Sequence, residues 1–432
     1  DDDQSIYSWR GAEIKNFLTF DQIYKNCKVF KLEQNYRSTK NILETASTLI
    51  SNNSNRVGKK LWSSANQGEL VKLNCYRTGK DEAQGISDII EHNLKKKYSL
   101  NDVSILVRAI YQTREFEERF LQVGIGYRVL GGTKFYERTE IKDAVSYLRI
   151  INQKYDDLAL ERIIGAPKKG VGESTLNQIY QFGKNNKLCL EDSIVKMLEN
   201  NSFKPKIKTA LSILVNMIFK WRIDMPKMKH FDLLKIVLDE SGYSAMLKNK
   251  NDLENENRLE NLKELLRAMQ DYDNLQDFLE HVALATSIDQ EWEGAKVNLM
   301  TMHAAKGLEF DVVFLPGWEE GLFPHQKSLE EKGDFALEEE RRLAYVGITR
   351  AKKEAYLSFA MKRAYHGDWM DALPSRFINE IPEESVEKNE INVDKTIEDF
   401  EFNQDNSVEF NDEYRSPGWD RYKKNKILKW KK

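Results

Sequence analysis

Two short apolar runs on either side of a polar loop constrain the fold of this chain more than any other feature. The runs are residues 297–302 and 310–315, and their composition is typical of strands buried in a parallel sheet. The loop between them carries His303, Lys306 and Glu309. Because α/β proteins hold their functional groups at the carboxyl ends of strands, this stretch predicts an α/β fold with a functional edge at the loop.

A helix is predicted after this stretch, over residues 338–352, whose apolar residues include Leu343. It carries Arg341, Arg342 and Arg350. An arginine held on a rigid element beside a sheet edge can stabilise the charge of a transferring phosphoryl group. Taken alone, Arg350 fits a solvated helix residue equally well.

Strands and helices alternate in the first third of the chain. Residues 71–76, 103–107 and 127–130 are predicted strands, and residues 82–94 and 113–123 are predicted helices. This alternation predicts a parallel sheet with helices on its faces.

The segment ahead of that alternation predicts a helix over residues 14–24 and a short strand over residues 29–32. Tyr36 and Arg37 follow the strand, and the serine or threonine after Arg37 is positioned to cap the next helix. The alternative role for Arg37 is a surface salt bridge. The position of Arg37 between a strand and a helix cap disfavours that alternative.

Between residues 140 and 290 the strand pattern nearly disappears. Apolar residues recur there at helical spacing, which predicts an all-helical insertion with an apolar core. One turn stands out, because Lys168 and Lys169 precede Gly170 and Gly172 just before a helix start. Such a turn exposes backbone amides to an anion. An ordinary helix–helix turn is the alternative.

Net charge, cysteine spacing and the length of apolar runs exclude several classes of protein. Charged residues make up 31% of the 432 residues and the net charge is −3, so any DNA contact must come from local patches. Cys27, Cys75 and Cys189 lie far apart without zinc-ligand spacing, which favours a reduced, cytoplasmic protein. No apolar run approaches membrane-spanning length.

Residues 385–432 predict a disordered acidic linker and a basic tail.

Four segments resemble, in order and wording, motifs of the UvrD/PcrA/Rep group of superfamily-one DNA helicases. They are DDDQSIYSWRGA at residues 1–12, LEQNYRSTKNI at residues 32–42, TMHAAKGLEFDVVFLPGWEEGLFPH and EEERRLAYVGITRAK. The resemblance extends to about residue 384 and is nearest to the UvrD/PcrA branch. No G-x-x-x-x-G-K-[ST] phosphate loop occurs in the chain. We therefore expect a fragment that lacks most of the first motor domain.

The resemblance implies a RecA-like motor domain of the P-loop NTPase type, with a parallel sheet interrupted by an all-helical insertion. It implies a remnant of the first motor domain at residues 1–30 and the first half of the second at residues 31–135. It implies that residues 136–294 form the insertion, which contacts duplex DNA, and that residues 295–384 complete the second motor domain. The linker and tail then occupy residues 385–432.

For the nucleotide, the resemblance implies ATP with Mg²⁺, the metal ligands being expected on the missing domain. It implies that Tyr36 stacks on the adenine and that Glu309 binds the ribose or its surroundings. Arg37 and Arg350 would reach the phosphates as catalytic arginines. Gln4 would sense the γ-phosphate and relay its presence to the DNA site.

For single-stranded DNA, the resemblance implies that Trp9 stacks on bases, with Tyr7 and Arg10 supporting the DNA track. Bases stack on aromatic rings without sequence preference, although a lone tryptophan is more often a core residue. His303 and Lys306 would line the cleft on the DNA side.

For duplex DNA at a fork, the resemblance implies that the turn with Lys169, Gly170 and Gly172 grips the backbone. His325 would lie near the DNA path.

The predicted function is the C-terminal part of an ATP-dependent 3′-to-5′ DNA helicase in repair or replication, with repair proteins as further partners. A non-catalytic DNA-binding fragment without ATPase activity of its own is the alternative. The helicase part of a helicase–nuclease ranks third.

Overall fold

The computed structural model describes residues 1–8, 11–95, 97–249, 253–287, 294–365 and 368–390. The chain divides into two compact units, which we call the sheet unit (residues 1–132 and 293–432) and the helical unit (residues 133–292). Two stretches that lie far apart in sequence thus form one α/β unit, and the helical unit is inserted between them in sequence. The predicted fold class is confirmed.

The strands all belong to the sheet unit. They are β1 (Gln34–Asn35), β2 (Trp62–Ser63), β3 (Val71–Thr78), β4 (Val103–Val107), β5 (Tyr127–Val129), β6 (Val297–Thr301), β7 (Phe310–Leu315), β8 (Ala351–Tyr365), β9 (Asp368–Asp371) and β10 (Val386–Glu390). The main sheet has the order β10-β3-β8-β7-β4-β6-β5, and each neighbouring pair in it is parallel. Strand β9 pairs antiparallel with β8, and β1 pairs with β2 separately.

The helices divide between the two units. The sheet unit holds α1 (Ile14–Leu18), α2 (Phe20–Ile23), α3 (Lys40–Ile50), α4 (Gly79–Ile89) and α5 (Thr113–Val123). The helical unit holds α6 (Thr139–Asn152), α7 (Asp157–Gly165), α8 (Glu173–Asn186), α9 (Leu190–Glu199), α10 (Pro205–Asp224), α11 (His230–Glu240), α12 (Tyr243–Lys248), α13 (Leu253–Met269) and α14 (Leu275–Ser287). Helix α15 (Gln326–Ile348) returns to the sheet unit.

Both faces of the main sheet are buried, because neighbouring strand residues pack into two separate apolar clusters. Ile105 of β4 joins the cluster that contains Phe116 of α5. The next residue, Leu106, joins the cluster that contains Ile42 of α3 and Leu343 of α15. A sheet covered on both faces favours apolar residues at most strand positions, which explains the mostly apolar runs in the sequence.

Helix α15 ends earlier than the predicted helix over residues 338–352. Its last residue is Ile348, and Lys352 already lies in β8. The carbonyl of Arg350 accepts a hydrogen bond from the backbone N–H of Phe310 at 2.9 Å, so the chain has left the helix to join the sheet. Sheet pairing therefore overrides a sequence that is compatible with further helical turns.

The predicted strand over residues 29–32 is wrong. These residues have no regular structure, and the short strand β1 comes later, at Gln34–Asn35. Val29 and Leu32 are 58% and 90% exposed, so neither has the neighbours that stabilise a strand. The predicted helix over residues 14–24 is divided into α1 and α2.

The predicted disordered linker from residue 385 is also wrong at its start. Strand β10 pairs with β3 in parallel register, Val386 opposite Val71, and forms one edge of the sheet. The acidic composition did not reveal it, because backbone hydrogen bonds to β3 hold the strand in place. The remainder of the predicted linker and tail lies outside the described residues.

The helical unit has its own core around α6. The rings of Tyr147 and Trp221 pack edge to face at 5.9 Å, and Arg222 donates a hydrogen bond to the carbonyl of Ile150 at 2.7 Å. Arg222 also pairs with the buried Glu191 at 2.6 Å, so the cation is compensated. Among the described helices, none combines the length and the apolar character that crossing a bilayer requires.

Candidate functional site

Arg37 lies in a turn shaped by its neighbours after β1. The Oδ1 atom of Asn35 accepts hydrogen bonds from the backbone N–H groups of Arg37 and Ser38, both at 2.9 Å. The hydroxyl of Ser38 donates to the carbonyl of Ala351 at 2.6 Å, which fixes the turn to the start of β8. The asparagine turn and the serine bond together set where the Arg37 side chain begins.

Three functional candidates meet at the starts of β7 and β8. Glu309 precedes the first residue of β7, and Arg350 precedes the first residue of β8. The Nε atom of Arg37 donates to Glu309 at 2.9 Å, and its Nη1 atom donates to the carbonyl of Thr349 at 3.3 Å. We call this group the amino edge (Arg37, Glu309, Thr349 and Arg350).

The amino edge lies opposite the location expected from the sequence. In a parallel sheet, the starts of β7 and β8 are on the other side from the strand ends where functional groups were predicted. His303 does follow a strand end, since β6 ends two residues before it. The loop over residues 302–309 therefore connects the two edges, and its polar residues are divided between them.

Arg350 is buried, with 1% of its surface exposed, and its guanidinium is held by its own part of the chain. It donates to the carbonyls of Val346 at 2.9 Å and Leu308 at 3.2 Å, and to the hydroxyl of Thr349 at 3.2 Å. Burial, together with the nearby charge of Arg37, lowers the pKa of Arg350 to about 10. Thr349 contacts both arginines, a role that no motif in the sequence indicated.

Glu309 balances the charge of the amino edge. The hydrogen bond from Arg37 lowers the pKa of the Glu309 carboxyl, and the charges of Lys352 and Arg350 act in the same direction. Both members of the Arg37–Glu309 pair remain partly open to solvent, with 28% and 49% of their side-chain surfaces exposed. Arg37 is thus accessible to an anion that competes with Glu309.

Tyr36 stands beside this group with 82% of its surface exposed. Its hydroxyl donates to the side-chain carbonyl of Gln34 at 2.6 Å, which steadies the ring without covering it. An exposed ring of this kind offers a face for stacking on a planar base.

The segment at residues 4–8 is held against the loop after β6. Lys306 donates from Nζ to the carbonyl of Gln4 at 2.9 Å and lies 5.2 Å from the centre of the Tyr7 ring. The Tyr7 hydroxyl donates to the carbonyl of His303 at 2.9 Å. Burial, and then the charge of Arg350, lowers the pKa of Lys306. The structure thus brings Gln4, Tyr7, His303 and Lys306 together.

Helix α15 also contacts the segment at residues 4–8. Arg342 donates from Nε to the carbonyl of Ser5 at 2.8 Å, and Glu339 accepts from the backbone N–H of Ser8 at 2.9 Å and from its hydroxyl. Residues 5–8 therefore lie beside one turn of α15, at Glu339 and Arg342. The sequence did not indicate these contacts: Glu339 was given no role, and Arg342 was noted only among the arginines of a predicted helix.

The carboxylates of Asp1, Asp2 and Asp3 lie close enough together to share a cation. Asp3 instead forms a bidentate pair with Arg56, at 3.1 and 2.8 Å, and Asp2 accepts from the backbone N–H of Val57 at 2.7 Å. Asp1 pairs with Lys59 and also accepts from the Gln4 side chain at 2.5 Å. These carboxylates are satisfied by the protein and do not fit a resident Mg²⁺ site.

Buried charges line the other edge of the sheet, where the strands end. Arg108 follows β4 directly and forms a bidentate pair with Glu340, with contacts of 2.6 to 3.1 Å. Glu340 also accepts from the backbone N–H of His325 at 3.1 Å, which places that residue here. Burial opposes ionisation of Glu340, but the charge and hydrogen bonds of Arg108 lower its pKa. We call this group the carboxyl edge (Arg108, Glu340 and His325).

Near this edge, the tryptophan of the PGWEEG segment is a core residue. Trp318 has no exposed surface, and its ring packs edge to face with Phe323 at 5.6 Å and Phe377 at 6.3 Å. Glu319 beside it pairs with Arg363 at 2.8 Å, and burial raises the pKa of the Glu319 carboxyl.

The predicted DNA contacts Trp9 and Arg10 lie outside the described residues. The predicted contacts of the helical unit lie in one turn between α7 and α8. Gly170 and Gly172 are exposed there, and a Cβ added to either would meet no atom within 4 Å. Lys169 is half-buried, and its ammonium donates to the carbonyl of Ile163 at 2.7 Å.

The parallel sheet interrupted in sequence by a helical unit defines an α/β protein of the RecA-like class. Residues 30–362 match the UvrD-like helicase C-terminal domain, and residues 1–25 match the UvrD/REP helicase N-terminal domain. The chain belongs to the UvrD-like helicase family.

Relatives with curated names support this membership. The chain is 46% identical over 391 residues to a probable DNA helicase II homolog of Rickettsia felis, covering 89% of this chain and 59% of the relative. It is 41% identical over 402 residues to DNA helicase II of Escherichia coli, covering 90% and 55%. It is 40% identical over 410 residues to the ATP-dependent DNA helicase PcrA of Staphylococcus aureus, covering 92% and 56%. The chain thus spans a little over half the length of these relatives.

Proposed function

We propose that this chain supplies the second motor domain and the duplex-gripping insertion of an ATP-dependent 3′-to-5′ DNA helicase. The observation that carries the proposal is the amino edge. Arg37 and Arg350 there converge on Thr349, beside the exposed ring of Tyr36. Two always-charged forks next to an aromatic face suit the phosphates and the base of one nucleotide.

The residues present fit one side of an ATP site. Bound ATP with Mg²⁺ would supply the phosphoryl group and a metal charge that stabilises its transfer. Tyr36 would stack on the adenine, and Glu309 would face the ribose. Arg37 would exchange its carboxylate partner for phosphate oxygens, while Arg350 is held in place by the carbonyls of Val346 and Leu308. The resemblance implies that the metal ligands lie on an N-terminal motor domain, and Asp1, Asp2 and Asp3 of this chain are already paired within it.

An apolar surface supports the need for such a domain. Phe17, Phe20, Ile23 and Tyr24 are 51–65% exposed in and beside α1 and α2, within the segment that matches the N-terminal helicase domain. Large apolar side chains clustered in solvent mark an interaction surface. We assign the N-terminal motor domain as its occupant.

Gln4 and the residues that hold it support coupling between nucleotide and DNA. Residues 4–8 contact Lys306 and His303 on one side and α15 on the other, and α15 leads to Arg350. A rigid connection of this kind would pass a change at the phosphates to the DNA track at Tyr7, where Trp9 and Arg10 follow in sequence. Bases stacked on such aromatics are bound without sequence preference.

ATP hydrolysis tests the proposal. The chain would be assayed alone and joined to the N-terminal part of the Rickettsia felis relative, with and without single-stranded DNA. We expect DNA-stimulated turnover only in the joined protein. Arg37→Ala and Arg350→Ala should each reduce that turnover by about 10³–10⁵-fold while single-strand binding persists. Arg149→Ala, which removes an exposed ion pair in the helical unit, is the matched control and should leave turnover unchanged.

Two results would contradict the proposal. Turnover that survives both arginine substitutions would remove the amino edge from the reaction. Salt-dependent DNA binding without hydrolysis in the joined protein would favour the non-catalytic DNA-binding alternative.

A further inference from the structure

The turn between α7 and α8 carries two adjacent lysines in different surroundings. Lys168 is exposed, and within the described residues its side chain makes no hydrogen bond or ion pair. Lys169 is half-buried and turned inwards, although it directly precedes the exposed Gly170. Neighbouring residues of the same type therefore offer a direct comparison of two roles.

All three N–H donors of the Lys169 ammonium have acceptors within the chain. They are the carbonyl of Ile163 at 2.7 Å, the carbonyl of Pro167 at 3.2 Å and the hydroxyl oxygen of Tyr147 at 3.5 Å. An ammonium has three donors and no more. Lys169 cannot bind a phosphate oxygen without giving up one of these bonds.

These bonds hold the turn onto the end of α7. The carbonyl of Ile163 is one of the last four of that helix, which have no partner inside it. A cation at this position also interacts favourably with the negative end of the helix dipole. Tyr147 is buried, and its hydroxyl donates to the carbonyl of Ala166 at 2.8 Å. This bond fixes Ala166, the residue that follows the end of α7. Burial lowers the pKa of Lys169 to about 8, in keeping with its inward position.

The outward side of the turn has a different charge balance. Gly170 adopts a φ of +75°, and Gly172 precedes the first turn of α8, so backbone amides face solvent there. Glu173, exposed at the start of α8, brings a negative charge to the same place. Lys168 is an exposed cation in the same turn.

We infer that Lys169 is a positioning residue that holds the turn in its anion-binding shape, and that Lys168 is the side chain that contacts the DNA phosphate. The inference rests on the proposed duplex contact of this turn and divides it between two residues. A contact by Lys168 and backbone amides is independent of base sequence, because phosphates carry no sequence information.

Duplex binding as a function of salt separates the two roles. The full chain would be titrated with a duplex carrying a single-stranded overhang, and with the single strand alone as a control. For Lys168→Gln, we expect the slope of log affinity against log salt to decrease in magnitude by about 0.9, the value for one lost phosphate contact. For Lys169→Met, we expect an unchanged slope.

Lys169→Met should instead weaken duplex binding through the shape of the turn. If the freed turn adopts its binding shape about a tenth of the time, affinity falls roughly tenfold at every salt concentration. Amide hydrogen exchange in residues 166–176 should accelerate, and single-strand affinity should stay the same. Tyr147→Phe, which removes one acceptor of the ammonium, should act in the same direction with a smaller effect, and it provides a second variant if Lys169→Met folds poorly.

The outcomes distinguish the inference from the proposed function. A lower salt slope for Lys169→Met with an unchanged slope for Lys168→Gln would overturn the inference. Unaltered exchange in the turn of Lys169→Met would also overturn it. If the unsubstituted chain does not bind the duplex more tightly than the single strand, the proposed role of the insertion fails instead.

Discussion

The two edges of the sheet hold charge in different ways. At the amino edge, Arg37 and Glu309 form a pair that is partly open to solvent. At the carboxyl edge, Arg108 and Glu340 form a pair that is almost closed to it, with 17% and 6% of their side-chain surfaces exposed. Both are arginine–glutamate pairs in one unit, and they differ in exposure and in geometry, because the buried pair is bidentate and the open pair has one hydrogen bond.

This difference indicates which edge is available for chemistry. The carboxylate of an exposed pair can be displaced by a phosphate at little cost, because surface ion pairs contribute about 0–1 kcal/mol. A buried pair cannot open without leaving an uncompensated charge in the interior. The amino edge is therefore suited to exchange partners during a reaction cycle, and the carboxyl edge is suited to hold the strands and α15 in register.

Removal of one glutamate from each edge should give the largest contrast. Glu340→Ala should lower the free energy of unfolding of the sheet unit by about 3–5 kcal/mol, because it leaves Arg108 buried without a partner. Glu309→Ala is the matched control and should cost about 1 kcal/mol or less. Urea unfolding, monitored by hydrogen exchange in peptides of β4 and β7, measures the free-energy loss of both variants. Equal losses would mean that the two edges do not differ energetically.

The strands behind this contrast could be predicted from the sequence. Parallel strands covered on both faces are mostly apolar, and mostly apolar runs marked β4 and β7 at their observed bounds. Strand β3 was predicted to within two residues although Lys72 and Asn74 interrupt its apolar residues. The same composition failed at residues 29–32, which have no neighbouring strand. Strand β10 shows the opposite error, because the sequence did not predict it. Its partner β3 lies about 300 residues away, and composition does not show strand pairing.

The candidate site was only partly predictable. The resemblance grouped Arg37, Glu309 and Arg350 at one nucleotide, and the structure does bring them together. The edge at which they meet depends on the path of the loop over residues 302–309, which sequence patterns do not encode. Thr349 was missed for a related reason, since its contacts with both arginines depend on where α15 stops. The roles of these residues in catalysis stay predictions.

Low pH should destabilise the carboxyl edge more than the amino edge, with a smaller effect than the alanine substitutions. Arg108 lowers the pKa of Glu340 despite burial, so the unfolded chain binds more protons than the folded one once pH falls below the ordinary glutamate range. The stability that Glu340 contributes is fully present above that range and is lost as pH falls through its folded pKa. As pH falls through and below the ordinary glutamate range, we expect the stability contributed by Glu340 to decline.

Glu340→Gln should reduce this acid sensitivity, whereas Glu309→Gln should alter it little because that carboxylate is half-exposed. Urea unfolding at a series of pH values measures the slopes. An unchanged slope in Glu340→Gln would show that other carboxylates govern acid unfolding.

The smallest effect should be the coupling within the amino edge itself. A double-mutant cycle with Arg37→Ala and Glu309→Ala isolates the pair, and we expect a coupling energy of about 0.5 kcal/mol that disappears at high salt. Arg37 also donates to the carbonyl of Thr349, so each single substitution leaves part of the edge in place. A coupling above about 2 kcal/mol that resists salt would mean that Glu309 holds Arg37 tightly. Arg37 would then need a conformational change to reach a phosphate, and the two edges would resemble each other more than their exposure suggests.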